Sequence, residues 1–242
     1  MLPALSAPSL EEIRAAQSRL QGAAVRTPLI KLNYDMAGIE IYLKCEQCQP
    51  ISSFKIRGAT NAVRMLSFEE KQHGIVTASA GNMAQGLAWI AREEQIPCRV
   101  LVPDTANEVK LQAIERLQGQ VTKCTFDQWW QVIVTHHRPM IEGHFIHPVC
   151  NRHVMAGNGT IALEILEDLP DCDAILGDCL GFNPRTHDAF LLQCPMVAVH
   201  WSPASPRPRN ISDHRLMSWH AKSRAPHRWL PRSSTMQSRR FQ

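Results

Sequence analysis

At 242 residues the chain can hold one large domain or two small ones, and 44% hydrophobic with 20% charged residues is ordinary for a globular protein. No apolar run reaches the ~20 residues of a membrane-spanning helix, and residues 1–6 lack the basic-then-apolar pattern of a secretory leader, so a cytoplasmic protein with no membrane partner is expected. The net charge of +4 is unevenly placed: residues 1–177 carry 16 Lys and Arg against 19 Asp and Glu, and residues 178–242 carry 10 against 3.

Ser9-Leu10-Glu11-Glu12 reads as a capping box opening a helix whose apolar positions Ile13, Ala16, Leu20 and Ala23 share a face. Thr27-Pro28-Leu29 breaks that pattern, and residues 39–44 alternate as a strand. After Gln49-Pro50 comes Ser53-Phe54-Lys55-Ile56-Arg57-Gly58-Ala59, with Ser53 as the expected N-cap of a helix reaching to about Leu66. A lysine in a first turn faces the positive end of the helix dipole, which makes its proton easier to lose. Such an amine suits nucleophilic chemistry, against the blander reading of a surface lysine.

From Gly74 the pattern turns to strand–helix alternation. Strands are expected at 75–78, 98–102, 121–124, 145–147 and 174–176, with helices at about 83–94, 108–117, 127–134 and 159–169. Asp127 is the expected cap of the helix carrying Trp129 and Trp130, and Gly159-Thr160 the start of the last one. This alternation predicts an α/β fold with parallel sheets covered on both faces, whose ligands sit at the strands' carboxyl ends. Ser79-Ala80-Gly81-Asn82 lies at such an end.

Residues 178–242 hold 7 of the 16 prolines, 3 of the 6 tryptophans and no glutamate, without sustained periodicity. An irregular, disordered basic tail is expected there, rather than a nucleic-acid-binding module. The eight cysteines, at 45, 48, 98, 124, 150, 172, 179 and 194, are too dilute for a disulfide scaffold and fit free thiols. Cys45-Glu46-Gln47-Cys48 imitates a redox pair but lacks the following helix start that activates one. His136, His137, His144, His147 and His153 have no acidic partners completing a metal-ligand set, so solvated or capping histidines are expected and no metal.

Ser53-Phe54-Lys55-Ile56-Arg57-Gly58-Ala59 resembles the cofactor-lysine motif of pyridoxal-phosphate enzymes related to threonine dehydratase and serine racemase (fold type II, tryptophan synthase β-like). Ser79-Ala80-Gly81-Asn82-Met83-Ala84-Gln85-Gly86, Val102-Pro103-Asp104, and Ala156-Gly157-Asn158-Gly159-Thr160 with its sequel to Ile165 agree with it in order. The resemblance covers about residues 9–175 and implies two open parallel-sheet domains. Residues 1–73 and 147–177 would belong to a large, incomplete domain and 74–146 to a small one. It implies pyridoxal 5'-phosphate as cofactor, a small amino acid as substrate and a homo-oligomer.

By the same resemblance Lys55 would carry the cofactor covalently and act as acid–base catalyst. Phe54 would lie beside the cofactor ring and Asn82 would bond its 3′-oxygen. Ser79, Ala80, Gly81, Asn82 and Met83 would grip the substrate carboxylate. Gly157-Asn158-Gly159-Thr160 matches a turn at a helix start, mainly structural. Ala80 stands where serine racemases have a serine, which favours β-elimination over racemisation, and Met83 replaces a histidine usual in threonine dehydratases. Asp178-Cys179-Leu180-Gly181-Phe182 stands where the family has its phosphate-binding glycine loop, suggesting truncation or a frame change after about residue 177. Three readings compete: a threonine/serine dehydratase, a catalytically inactive family member, and a racemase.

Overall fold

A computed structural model describes residues 6–33, 38–136, 141–176 and 196–201. Helix α1 (Leu10–Arg19) opens with the expected capping box, Ser9 Oγ accepting from Glu12 N–H while the Glu12 carboxylate accepts from Ser9 N–H. Strands β1 (Leu29–Lys31) and β2 (Ile39–Lys44) follow, then a 3-10 turn over Glu46–Cys48. Helix α2 (Lys55–Arg64) is buried along almost its whole length. Phe54, the residue before its first turn, already has helical backbone angles and makes no side-chain cap bond; the cap-type bond comes from the expected Ser53, whose hydroxyl accepts the Lys55 N–H. Arg57 N–H donates to Phe54 O at 3.0 Å and Ile56 N–H to Ser53 O at 3.4 Å. Helix α3 (Phe68–His73) is one that sequence reasoning missed, although Ser67 and Glu70 form a second capping box.

Strands β3 (Ile75–Ala78), β4 (Cys98–Pro103), β5 (Gln120–Cys124) and β6 (His144–Phe145) form a parallel sheet in the order β5-β4-β3-β6. Helices α4 (Asn82–Glu93), α5 (Glu108–Arg116) and α6 (Phe126–Thr135) connect them. Ile75, Val100 and Val102 join the apolar cluster of α4 and α5, whereas Val76, Ala78 and Leu101 pack with Val132 of α6. Both faces of the sheet are therefore covered, which is why β3 reads as an unbroken buried run. The α6 cap is Thr125, with Gln128 completing its box, and not Asp127, which sits inside the first turn. Thr125 wins because its hydroxyl reaches the Gln128 N–H at 3.3 Å from a position still in extended backbone.

Helix α7 (Arg152–Asp168) begins seven residues before the expected Gly159, at the N-cap Asn151, whose Oδ1 accepts from His153 and Val154 N–H. Gly157-Asn158-Gly159-Thr160 is thus helix interior and not a turn. Its glycines serve packing: a Cβ on Gly157 would stand 2.5 Å from Arg57 O and 2.8 Å from Gly58 Cα, so only glycine lets α7 rest directly on the α2 backbone.

Strand β7 (Ala174–Leu176) is as expected, but β8 (Met196–Trp201) falls in the stretch expected to be irregular. Met196-Val197-Ala198-Val199-His200-Trp201 is rich in strand formers, and its backbone pairs with both β2 and β7. The expectation of an irregular tail is corrected for these six residues; the rest of 178–242 lies outside the described residues, as does the Asp178–Phe182 stretch. The second sheet, β1-β2-β8-β7, is antiparallel at every pairing. For β1 and β2 the reason is the short link between them, which permits a hairpin but no crossover helix. Among the described residues no helix is long and apolar enough to cross a membrane.

Candidate functional site

Lys55 is the first residue of α2 and is only 2% exposed. Its Nζ lies 5.1 Å from the centroid of the Phe54 ring, a cation–π distance. Ser53, itself buried, accepts the Lys55 N–H on its hydroxyl at 3.3 Å, a cap-type bond at the helix start.

The second half of the site is the turn after β3. Ser79 N–H still pairs with Leu101 O at 3.1 Å, so Ser79 is held at the carboxyl end of the sheet. Its hydroxyl accepts the N–H of Gly81, the N-cap of α4, at 3.3 Å. Ala80 and Asn82 are half-buried at that edge. Met83 is different: it is 1% exposed and enclosed in the core cluster with Leu87 and Ala59, so its bulk fills the protein interior.

Two helices bring these halves together. On α4, a Cβ on Gly86 would lie 3.1 Å from Ala59 Cβ and 3.3 Å from Lys55 O, so the missing side chain allows α4 to lie against the first turn of α2. Asn82 precedes Gly86 by one helical turn and shares its face. The turn carrying Ser79 and Asn82 thus leads into a helix that packs on the backbone of the Lys55 turn. A helix start at the carboxyl end of a parallel strand is suited to an anion. A cavity of about 560 Å³ lined by Arg92, Gln95, Ile96, Cys98 and Gln118 opens at the opposite ends of these strands. It is lined by none of Lys55, Ser79 and Asn82.

Sequence reasoning missed what lies behind Lys55. Arg57 is 1% exposed and forks between two buried carboxylates. It donates to Glu46 from Nε at 2.8 Å and Nη2 at 2.9 Å, and to Glu164 from Nη1 at 2.6 Å and Nη2 at 3.0 Å. Lys44, fully buried, pairs with Glu164 at 2.7 Å, and Thr27 donates its hydroxyl to Glu46 at 2.5 Å. Burial works against the Arg57 charge, but the bonds to Glu46 and Glu164 outweigh it and raise its pKa. One signal was available: Glu164 sits on the apolar stripe of α7 between Ile161 and Ile165, where an unpaired carboxylate would be intolerable.

The other singled-out residues are structural. His147 accepts the N–H groups of Val149 and Cys150 on Nδ1, at 3.0 and 2.7 Å, while Nε2 faces Ile133 O at 3.2 Å. Burial and the neighbouring His136 push its pKa down to about 4, so it is a neutral loop-capping imidazole. Cys45 is buried and Cys48 exposed, flanking the Glu46 that serves Arg57. Trp129 packs against the Val76–Leu101 face of the sheet. His137 lies outside the described residues.

A family model described as pyridoxal-phosphate dependent enzyme matches residues 20–181. The chain is 38% identical over 173 residues to a serine racemase of Dictyostelium discoideum, covering 69% of this chain and 53% of that one. The crystal structure of that racemase superposes with a TM-score of 0.61 over 69% of this chain and 56% of its own, at 36% identity. An L-threonine ammonia-lyase of Thermotoga maritima is 40% identical over 172 residues, covering 69% of this chain and 43% of the relative. A catabolic L-threonine dehydratase of Staphylococcus aureus is 32% identical over 231 residues, covering 87% of this chain and 65% of the relative, which is more than residues 1–177 alone could supply. The chain spans about half the length of the first two. With its lysine motif and its Ser79–Asn82 turn inside the matched range, the chain belongs to the pyridoxal-phosphate-dependent enzyme family that includes serine racemases and threonine dehydratases.

Proposed function

We propose that this chain carries the catalytic half of a β-eliminating ammonia-lyase acting on L-threonine or L-serine. The observation that carries the reading is the Lys55 amine, buried in the first turn of α2 and packed beside the helix that starts at the Ser79–Asn82 turn. The donor set fits the pyridoxal ring: a primary amine able to condense with an aldehyde, an aromatic face at Phe54, and an amide donor at Asn82 for the hydroxyl oxygen the ring carries. The Asp178–Phe182 stretch, where the family holds the phosphate, lies outside the described residues. Bound there, the cofactor supplies the electron sink that acidifies the α-carbon of an amino acid.

The protein's own groups have the remaining tasks. Lys55 is the base that takes the α-proton. Ser79 and the N–H groups at the start of α4 receive the substrate carboxylate, favoured by the helix dipole. Loss of the β-hydroxyl then leads to a 2-oxo acid and ammonia. Ala80 offers no hydroxyl to deliver a proton to the other face of the α-carbon, which supports elimination over racemisation.

The full chain with pyridoxal phosphate is reduced with borohydride and digested. An adduct on the Lys55 peptide, lost in Lys55→Ala, together with 2-oxobutanoate from L-threonine, is the expected outcome. An adduct on a different lysine overturns the site. No adduct and no keto acid identifies a catalytically inactive family member. The 38% identity to a serine racemase motivates a second reading, in which D-serine appears from L-serine faster than pyruvate does.

A further inference from the structure

Lys55 and Arg57 are two positions apart on one helix, so their side chains leave it about 200° apart, on opposite sides. Lys55 faces the Phe54 ring, and Arg57 belongs to a chain of two cations, itself and Lys44, and two carboxylates, Glu46 and Glu164, whose side chains are all at most 8% exposed. That chain ties α2 to the Glu46 turn, to α7 through Glu164 and Thr160, to β2 through Lys44, and to the loop at Val25, whose carbonyl takes an Arg57 Nη2 bond at 3.2 Å. Next to it, Asn158 Oδ1 of α7 accepts the Gly58 N–H at 3.1 Å. The bonds from Arg57 and from the Gly58 N–H hold the turn that begins with Lys55, and none of them involves the amine.

A buried charge network is a poor way to gain stability, since apolar packing of equal volume does as well or better. What it supplies is geometry. Bidentate guanidinium–carboxylate bonds fix orientation as well as distance. Side chains that must be held in a productive pose need such support from behind.

We propose that Arg57 is the positioning residue for Lys55: clamped by Glu46 and Glu164, it fixes the first turn of α2 so that the amine stays buried and aimed at the α4 edge. The inference rests on Lys55 being the reactive amine of the proposed function. The test does not depend on that chemistry.

The full chain, Arg57→Lys and Glu164→Gln are pulsed with trace acetic anhydride across a pH series. Acetylation of Lys55 is read by peptide mass spectrometry relative to Lys123, whose side chain is half-exposed. Arg57→Lys keeps the charge but loses the fork. Glu164→Gln keeps shape and leaves the Glu46 pair intact, so it remains decisive if Arg57→Lys does not fold. The expected result is Lys55 labelling roughly fivefold or more faster in both folded variants, through easier local opening of the first turn. Its pH midpoint shifts while that of Lys123 stays fixed. Unchanged rate and midpoint of Lys55 in the folded variants, with only a lower melting temperature, overturns the proposal and leaves Arg57 a merely structural residue. A missing borohydride adduct in the wild-type chain would sink the proposed function without touching this result.

Discussion

Gly157→Ala tests the contact on which the lysine helix rests. On helix propensity alone the substitution should stabilise α7 by about 1 kcal/mol, because glycine is a poor interior residue. The structure predicts the opposite sign. The new Cβ would meet Arg57 O at 2.5 Å, Gly58 Cα at 2.8 Å and Arg57 C at 2.9 Å, all backbone atoms that cannot rotate away. Ordinary contact begins at 3.4 Å, so α2 and α7 must separate by about 1 Å, and overpacking of that kind costs about 1–3 kcal/mol. With the propensity gain subtracted, the net expectation is a destabilisation of up to about 2 kcal/mol, or up to roughly 4–8 °C in melting temperature for a chain of this size. Gly159→Ala, two residues along the same helix, is the control. Its Cβ meets only side-chain atoms of Ile13, at 3.0 to 3.3 Å, and that half-buried side chain can yield. It should be neutral or stabilising within about 1 kcal/mol. Urea unfolding followed by circular dichroism measures both. Equal stability of the two variants would show that α2 and α7 do not touch backbone to backbone, and the account of this helix pair would fail.

Removing the guanidinium with Arg57→Met strands Glu46 and Glu164 without a fork, and should cost about 3–5 kcal/mol in urea unfolding; a loss below about 1 kcal/mol contradicts the buried network. His147, with its pKa held down to about 4 against the 6.5 of an ordinary histidine, binds its proton later than the unfolded chain does as pH falls. Its contribution is therefore complete above pH 6.5 and lost as pH falls from there toward 4, by up to about 3 kcal/mol. His147→Gln should flatten the stability profile in that window, and an unchanged slope would refute the assignment. Among the described thiols, Cys48 and Cys150 are exposed, while burial pushes the Cys98 thiol up to about 12. Iodoacetamide mass mapping of native protein should label Cys48 first and leave Cys98 intact until unfolding; early labelling of Cys98 would contradict the packing of β4.

The candidate lysine and the Ser79–Asn82 turn could be singled out because each is a contiguous motif, and the parallel sheet was legible because every one of its strands is followed by its own helix. Even within that legible part, the cap of α6 slipped from Asp127 to Thr125, since a cap depends on backbone angles that a residue type only biases. Met83 was expected at the substrate edge, yet the register of α4 turned it into the core.

Alone, the chain determined what is settled within a few residues. The capping box at Ser9 closes across three residues, so hydrogen-bonding chemistry and spacing suffice to read it. Only the tertiary structure decided how the amine is held. Arg57 reaches Glu46 across 11 residues and Glu164 across 107, and Gly157 is needed only where another helix lies on top of it. The physical reason is that burial of charge and closeness of backbones are properties of surfaces brought together by folding, and no local pattern records which surfaces will meet.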